Sequence, residues 1–245
     1  MSNVLNIDTA ADGVLLLTLQ RPAQRNALDL ELTERLHAAL QRFRTEPCWR
    51  VAILTGAAPA FCAGLDLKSF SAPDSPRHLV TELITSLPYL GKPVIAAVNG
   101  AAYTGGLELA LGCDFILASS EARFADTHAK IGALSGSGMG SRLPHAVGTR
   151  FAKQMMLTCA PIDAATALRV GLVNEVLPPQ ELLPRALALA GMVAAHDPEL
   201  IRAAKDVLDQ GAETSLREAL VFEKYALAKR KSEGAMAWTA GRASA

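Results

Sequence analysis

The sequence predicts an α/β fold with a helical C-terminal layer. Three observations point there. Short apolar runs alternate with helical periodicity over the first 125 residues, and the pattern after Val147 is almost wholly helical. Within the first of these parts, a glycine turn at Gly105 and Gly106 joins a buried strand to an apolar helix.

The elements follow in order. Residues 14–19 form a β-rich apolar run closed by Arg21-Pro22. From Asp29 the pattern turns helical: Leu32, Leu36, Ala39, Leu40 and Phe43 recur at three- and four-residue steps, and Pro47 follows the end. Residues 51–55 are a short strand stopped by Gly56, and 59–68 a loop with small residues around Gly64. Residues 77–90 read as an amphipathic helix, and 92–98 as a buried strand leading to the glycine turn. Two short strands follow at 114–118 and 122–125, and then a Gly- and Ser-rich loop at 132–140. An extended piece at 173–177 interrupts the C-terminal helices, the last of which cover 215–231 and 233–238, with Trp238 as a packing residue.

Composition narrows the function. The chain has 245 residues, half of them hydrophobic, enough for one large core. Lysine plus arginine balance aspartate plus glutamate at 24 each, which argues against a nucleic-acid binder. The four cysteines lack C-x-x-C spacing and the five histidines do not cluster with them, so no metal site is expected. With no apolar leader and no long apolar run, they read as reduced core thiols of a cytoplasmic protein without a membrane span.

The stretch from Asn99 to Asp114 carries the chemistry. Gly105 and Gly106 open a helix whose first N–H groups lack intrahelical partners, with the positive end of the helix dipole behind them. Glu108 lies in that first turn among Leu107, Leu109, Ala110 and Leu111. Amides facing a developing negative oxygen, with a carboxylate beside them to move a proton, suit reactions next to a carbonyl.

These residues, with Arg21-Pro-Ala-Gln-Arg-Asn-Ala-Leu28, Phe61-Cys-Ala-Gly-Leu-Asp-Leu67, Ala122-Arg-Phe-Ala125, Arg142-Leu143 and Ala167-Leu-Arg-Val-Gly-Leu-Val-Asn174, carry a resemblance. The chain resembles the enoyl-CoA hydratase/isomerase (crotonase) family over nearly its whole length. The resemblance implies a spiral of ββα turns over 1–190 and a helical trimerisation region over 191–245. It also implies a homotrimer or homohexamer acting on acyl-coenzyme A thioesters. No separate cofactor is implied, because coenzyme A enters as part of the substrate.

By position, the family's two oxyanion-binding amides fall on Ala63 and Gly105, and its first catalytic glutamate on Glu108. Ala63, Gly64, Leu65 and Asp66 would line the coenzyme A channel, with Arg25 and Lys68 as phosphate or adenine neighbours. The family's hydratases place a second glutamate four residues after the Phe matching Phe124; here that position is His128. An imidazole also exchanges protons near neutral pH, so His128 is the candidate partner acid. Asp126 has the pattern of a local turn or cap residue.

The expected activity is hydration of a 2-enoyl-CoA. A Δ3,Δ2-enoyl-CoA isomerase using Glu108 alone, another acyl-CoA reaction, and a silent acyl-CoA binder are the alternatives. Ser135 and Ser137 near His128 invite a serine-hydrolase reading, but no G-x-S-x-G elbow is present.

Overall fold

The computed structural model describes residues 3–72 and 74–234. It divides into two compact units, one ending at His196 and the other beginning at Asp197. This boundary lies beyond the expected 190, because helix α7 (Pro179–Ala194) runs through that position. It buries Leu182, Ala186, Ala190 and Ala194 on the first unit's larger sheet.

That sheet contains β1 (Leu5–Ala11), β2 (Val14–Leu19), β3 (Val51–Gly56), β5 (Val94–Val98), β7 (Phe115–Ser119) and β10 (Glu175–Leu177). Strands β1 and β2 form an antiparallel hairpin, and every other pairing in it is parallel. A smaller sheet holds β4 (Ala60–Cys62), β6 (Ala101–Tyr103), β8 (Arg123–Ala125) and β9 (Ile162–Asp163), parallel except where β9 joins. The chain visits the two sheets in turn. After β3 and β4 comes α2 (His78–Ser86), and after β5 and β6 comes α3 (Gly105–Leu111); β7 and β8 repeat the step. The result is a spiral of ββα turns.

Strands β3 and β5 are buried throughout and almost wholly apolar because both faces are covered. Ala52, Leu54, Val94 and Ala96 share a cluster with Leu32, Leu36, Leu40 and Phe43 of α1 (Leu30–Thr45). Val51, Ile53, Ile95 and Ala97 pack with α7 on the other face. Each large side chain so buried contributes about 1.5–3 kcal/mol relative to exposure.

Polar groups fix where α1 begins and ends. Asp29 accepts from the Leu32 amide at 2.9 Å as N-cap. Past the far end, Lys92 Nζ donates to the carbonyls of Phe43, Glu46 and Trp49 at 2.8, 2.7 and 2.8 Å. A cation there complements the helix dipole, although burial lowers its pKa.

Several expected elements change shape. The helix over 77–90 stops at Ser86, and Pro88 confines 87–90 to a 3-10 turn. The loop at 132–140 gives up its last residues to α4 (Met139–Val147), which is followed by α5 (Thr149–Thr158) and α6 (Ala164–Arg169). Cys62 and Cys159 are buried, and Cys113 is half-buried. Cys48 is exposed after α1, so it is not the core thiol expected.

The second unit comprises α8 (Pro198–Ala212) and α9 (Leu216–Ser232), which pack on each other. A Ser215–Glu218 capping box starts α9. The described part of the expected 233–238 helix is not helical: α9 ends at Ser232, and 235–238, with Trp238, lie outside the described residues. Among the described residues, no helix is long and apolar enough to cross a membrane, and no group of three His, Cys, Asp or Glu can hold a metal ion.

Gly106 sets the tightest backbone contact near the site: a Cβ there would lie 2.0 Å from the Cys62 carbonyl oxygen. Because that neighbour is backbone, Gly106→Ala is expected to destabilise the protein by about 2 kcal/mol or more, read as a lower urea midpoint.

Candidate active site

Strands β4, β6 and β8 are parallel neighbours, with Cys62 opposite Ala102 and Tyr103 opposite Ala125. Their C-terminal ends therefore release three segments side by side: 63–65, 104–105 and 126–128. Open parallel sheets place ligands beyond such ends. A cavity of about 570 Å³ lies there, lined by Ala63, Leu65, Thr104, Gly105, Glu108, Thr127 and His128, with side chains of α2 and of 131–137 completing the wall.

The amide assignment needs one correction. The Ala63 N–H is already spent, donating to the Arg25 carbonyl at 3.0 Å. Gly64 then adopts φ +100, and the chain pairs with Leu28 on either side: Leu28 N–H donates to Gly64 O, and Asp66 N–H to Leu28 O. Between these bonds the Leu65 N–H has no acceptor among the described residues, nor does that of Gly105. The two run close together, since a Cβ on Gly105 would lie 3.5 Å from the Leu65 nitrogen. The free pair facing the cavity is thus Leu65 and Gly105. A left-handed glycine that turns the chain between positions 63 and 65 was the signal to find it.

Thr104, just before Gly105, holds a strained φ of 52°. A β-branched residue there costs on the order of 1–3 kcal/mol. Its amide donates to Ala125 O at 2.8 Å, and its hydroxyl meets that of Thr127 at 2.5 Å, so β8 holds the turn in place.

Glu108 is buried and lines the cavity. Its Oε1 accepts from the Ser135 hydroxyl and from the Met139 amide, the latter at 3.2 Å. Its Oε2 has no partner among the described residues and is not sealed from solvent. One oxygen is fixed and the other is free to work. Ser135 therefore serves the carboxylate and not His128, which removes the hydroxyl–imidazole pairing a serine hydrolase needs.

His128 lines the same cavity and its Nδ1 lies 2.6 Å from Asp126 Oδ1. The same oxygen accepts the His128 amide at 3.2 Å, an Asx-type turn that aims the ring. Asp126 itself is buried. Its hydrogen bond raises the His128 pKa, burial of the ring works against this, and the charges of Asp126 and Glu108 add to the rise. Sequence spacing alone did not reveal that two residues in the i, i+2 relation meet in this way.

Four other expected ligand contacts do not line the cavity. Arg25 and Lys68 are exposed, and Gly64 contributes backbone close to Tyr103 O, where a Cβ would lie 2.9 Å away. Asp66 is engaged by Arg21 at 3.1 Å and by the amides of Lys68 and Ser69. Burial opposes its charge, but these donors outweigh it and lower its pKa. Arg21 also reaches Asp29 at 3.0 Å, so this cluster fastens the site loop to the start of α1.

The chain is similar to known proteins over most of its length. The family model described as enoyl-CoA hydratase/isomerase matches residues 9–240. The 2,3-dehydroadipyl-CoA hydratase of Escherichia coli K12 is 40% identical over 214 residues, covering 86% of this chain and 84% of that protein. The crystal structure of an enoyl-CoA hydratase from Bacillus anthracis superposes with a TM-score of 0.89 at 35% identity, covering 92% of this chain and 90% of the other. A monofunctional enoyl-CoA isomerase from M. smegmatis gives a TM-score of 0.79 at 34% identity, over 89% and 99% of the two chains. The chain belongs to the enoyl-CoA hydratase/isomerase family.

Proposed function

We propose that this protein is a lyase that adds water to a 2-enoyl-CoA thioester. The observation that carries the reading is the meeting, in one cavity, of two unbonded amides, a carboxylate with one free oxygen, and an imidazole held by a buried aspartate.

The thioester oxygen accepts from the Leu65 and Gly105 amides. Glu108 Oε2 takes a proton from water as its oxygen bonds to the β-carbon, and the electrons of the double bond move to the thioester oxygen as an enolate. Each preorganised donor is worth roughly 3–4 kcal/mol against that charge. The His128 imidazolium then delivers a proton to the α-carbon through Nε2, and the carbonyl re-forms. Transfer of the water-derived proton from Glu108 back to His128 restores the start. Arg25 and Lys68, outside the cavity and exposed, are suited to the coenzyme A phosphates.

A second reading is Δ3,Δ2-isomerisation. It is favoured by Glu108 being the one carboxylate among the described lining residues, since a single base can shuttle a proton between carbons. The second unit leaves Leu208, Leu216, Val221 and Tyr225 exposed, which supports assembly with further copies of the chain. Ultracentrifugation would read a trimer or hexamer, and a monomer would overturn that part.

Assays with crotonyl-CoA and with a 3-enoyl-CoA separate the two reactions; turnover of neither removes both. Glu108→Gln is expected to lower kcat by about 10²–10⁴-fold while binding of the thioester persists. The pH profile tests His128. An imidazolium acid is present below its pKa, so hydration is expected to fall as pH rises through a value above the ordinary 6.5. In Asp126→Asn the raising partner is lost, and the fall is expected at lower pH with reduced kcat and little change in KM. An alkaline limb unmoved by that substitution would remove His128 from the acid role.

A further inference from the structure

One wall of the cavity carries groups that the chemistry at Glu108 does not use. Arg77 and Thr81 stand one turn apart at the start of α2, on one helix face, and both line the cavity together with Ser137. The guanidinium is fastened from behind: Nε and Nη2 donate to the Phe70 carbonyl at 3.1 and 2.6 Å. Among the described residues it has no carboxylate partner, and Nη1 keeps both its protons. Ser137 is buried and donates its hydroxyl to Thr81 Oγ1 at 3.3 Å. The proton of Thr81 is therefore left without an acceptor among the described residues.

These side chains face the ligand space as donors, beside one permanent positive charge. The other titratable side chains of the wall are committed, Glu108 to Ser135 and Met139 and His128 to Asp126. A plain hydrocarbon chain gives the guanidinium and hydroxyl nothing to bind. A carboxylate is acceptor-only, planar, and matched to a guanidinium edge. Arg77 is exposed, and a mobile surface pair of this kind would be worth little. Here the bonds to Phe70 fix the guanidinium before any ligand arrives, which reduces the ordering cost of binding.

We infer that the Arg77–Thr81 edge recognises a carboxylate at the far end of the acyl group, so that the preferred substrates are coenzyme A monothioesters of dicarboxylic acids. This rests on the acyl-thioester reading above. The phosphates of coenzyme A offer similar chemistry, and the test separates the two sources.

Calorimetry would compare saturated straight-chain acyl-CoA esters with ω-carboxyacyl-CoA esters of equal length, which bind without turnover. The ω-carboxy ester is expected to bind about tenfold tighter or more for at least one chain length. Arg77→Met is expected to abolish that preference and leave the plain ester unchanged. Arg77→Lys should keep part of it, and Thr81→Val should weaken it by a smaller factor. Equal affinities in the unsubstituted protein at every length would overturn the inference. So would an Arg77→Met variant that weakens both esters by the same factor, which would assign the guanidinium to the coenzyme A phosphates. A preference measured in a protein that turns over neither enoyl ester keeps this inference and removes the catalytic reading. Failure of both esters to bind removes both.

Discussion

The site depends on how closely two backbone segments approach each other. Residues 62–65 and 104–106 run side by side at the ends of β4 and β6, with Gly64 and Gly106 where a side chain would collide with backbone. That contact brings the Leu65 and Gly105 amides together. It also seats the first turn of α3, and Glu108 with it, against the same cavity. Strained Thr104 shows that the turn is held by its surroundings, chiefly Ala125 at the end of β8 and Thr127 just beyond it. The apolar layers behind the larger sheet supply the stability against which such strain is tolerated.

Around this contact, each proton-exchanging side chain of the cavity wall has a partner that limits its freedom. Ser135 and Met139 hold one oxygen of Glu108, and Asp126 holds one nitrogen of His128. In both cases the second heteroatom of the same group is left for a ligand. Sites built this way lose little entropy on reaching a reactive geometry.

Much of this was legible in the sequence. The apolar runs of β3 and β5 and the periodicity of α1 are strong signals because burial on one or both faces dictates them. Strands β4, β6 and β9 span only two or three residues, too short for periodicity to show. Strand β1 is largely exposed, so its pattern is muted. Motif position singles out Glu108 and His128, and both line the cavity. Motif position points to the Ala63 amide, which the fold instead bonds to the Arg25 carbonyl, because main-chain direction depends on φ at Gly64, which residue type permits but does not state. Asp66, expected in the ligand channel, is instead held by Arg21, a pairing across 45 residues that no local pattern reveals.

The anchoring of Glu108 through a single oxygen also bears on handedness. A carboxylate free to rotate can approach a flat acyl group from several directions. With Oε1 tied to Ser135 and to the first residue of α4, only Oε2 is left for a ligand. In the proposed hydration, water delivered by that one oxygen reaches one face of the acyl group, and the new centre forms in a single configuration.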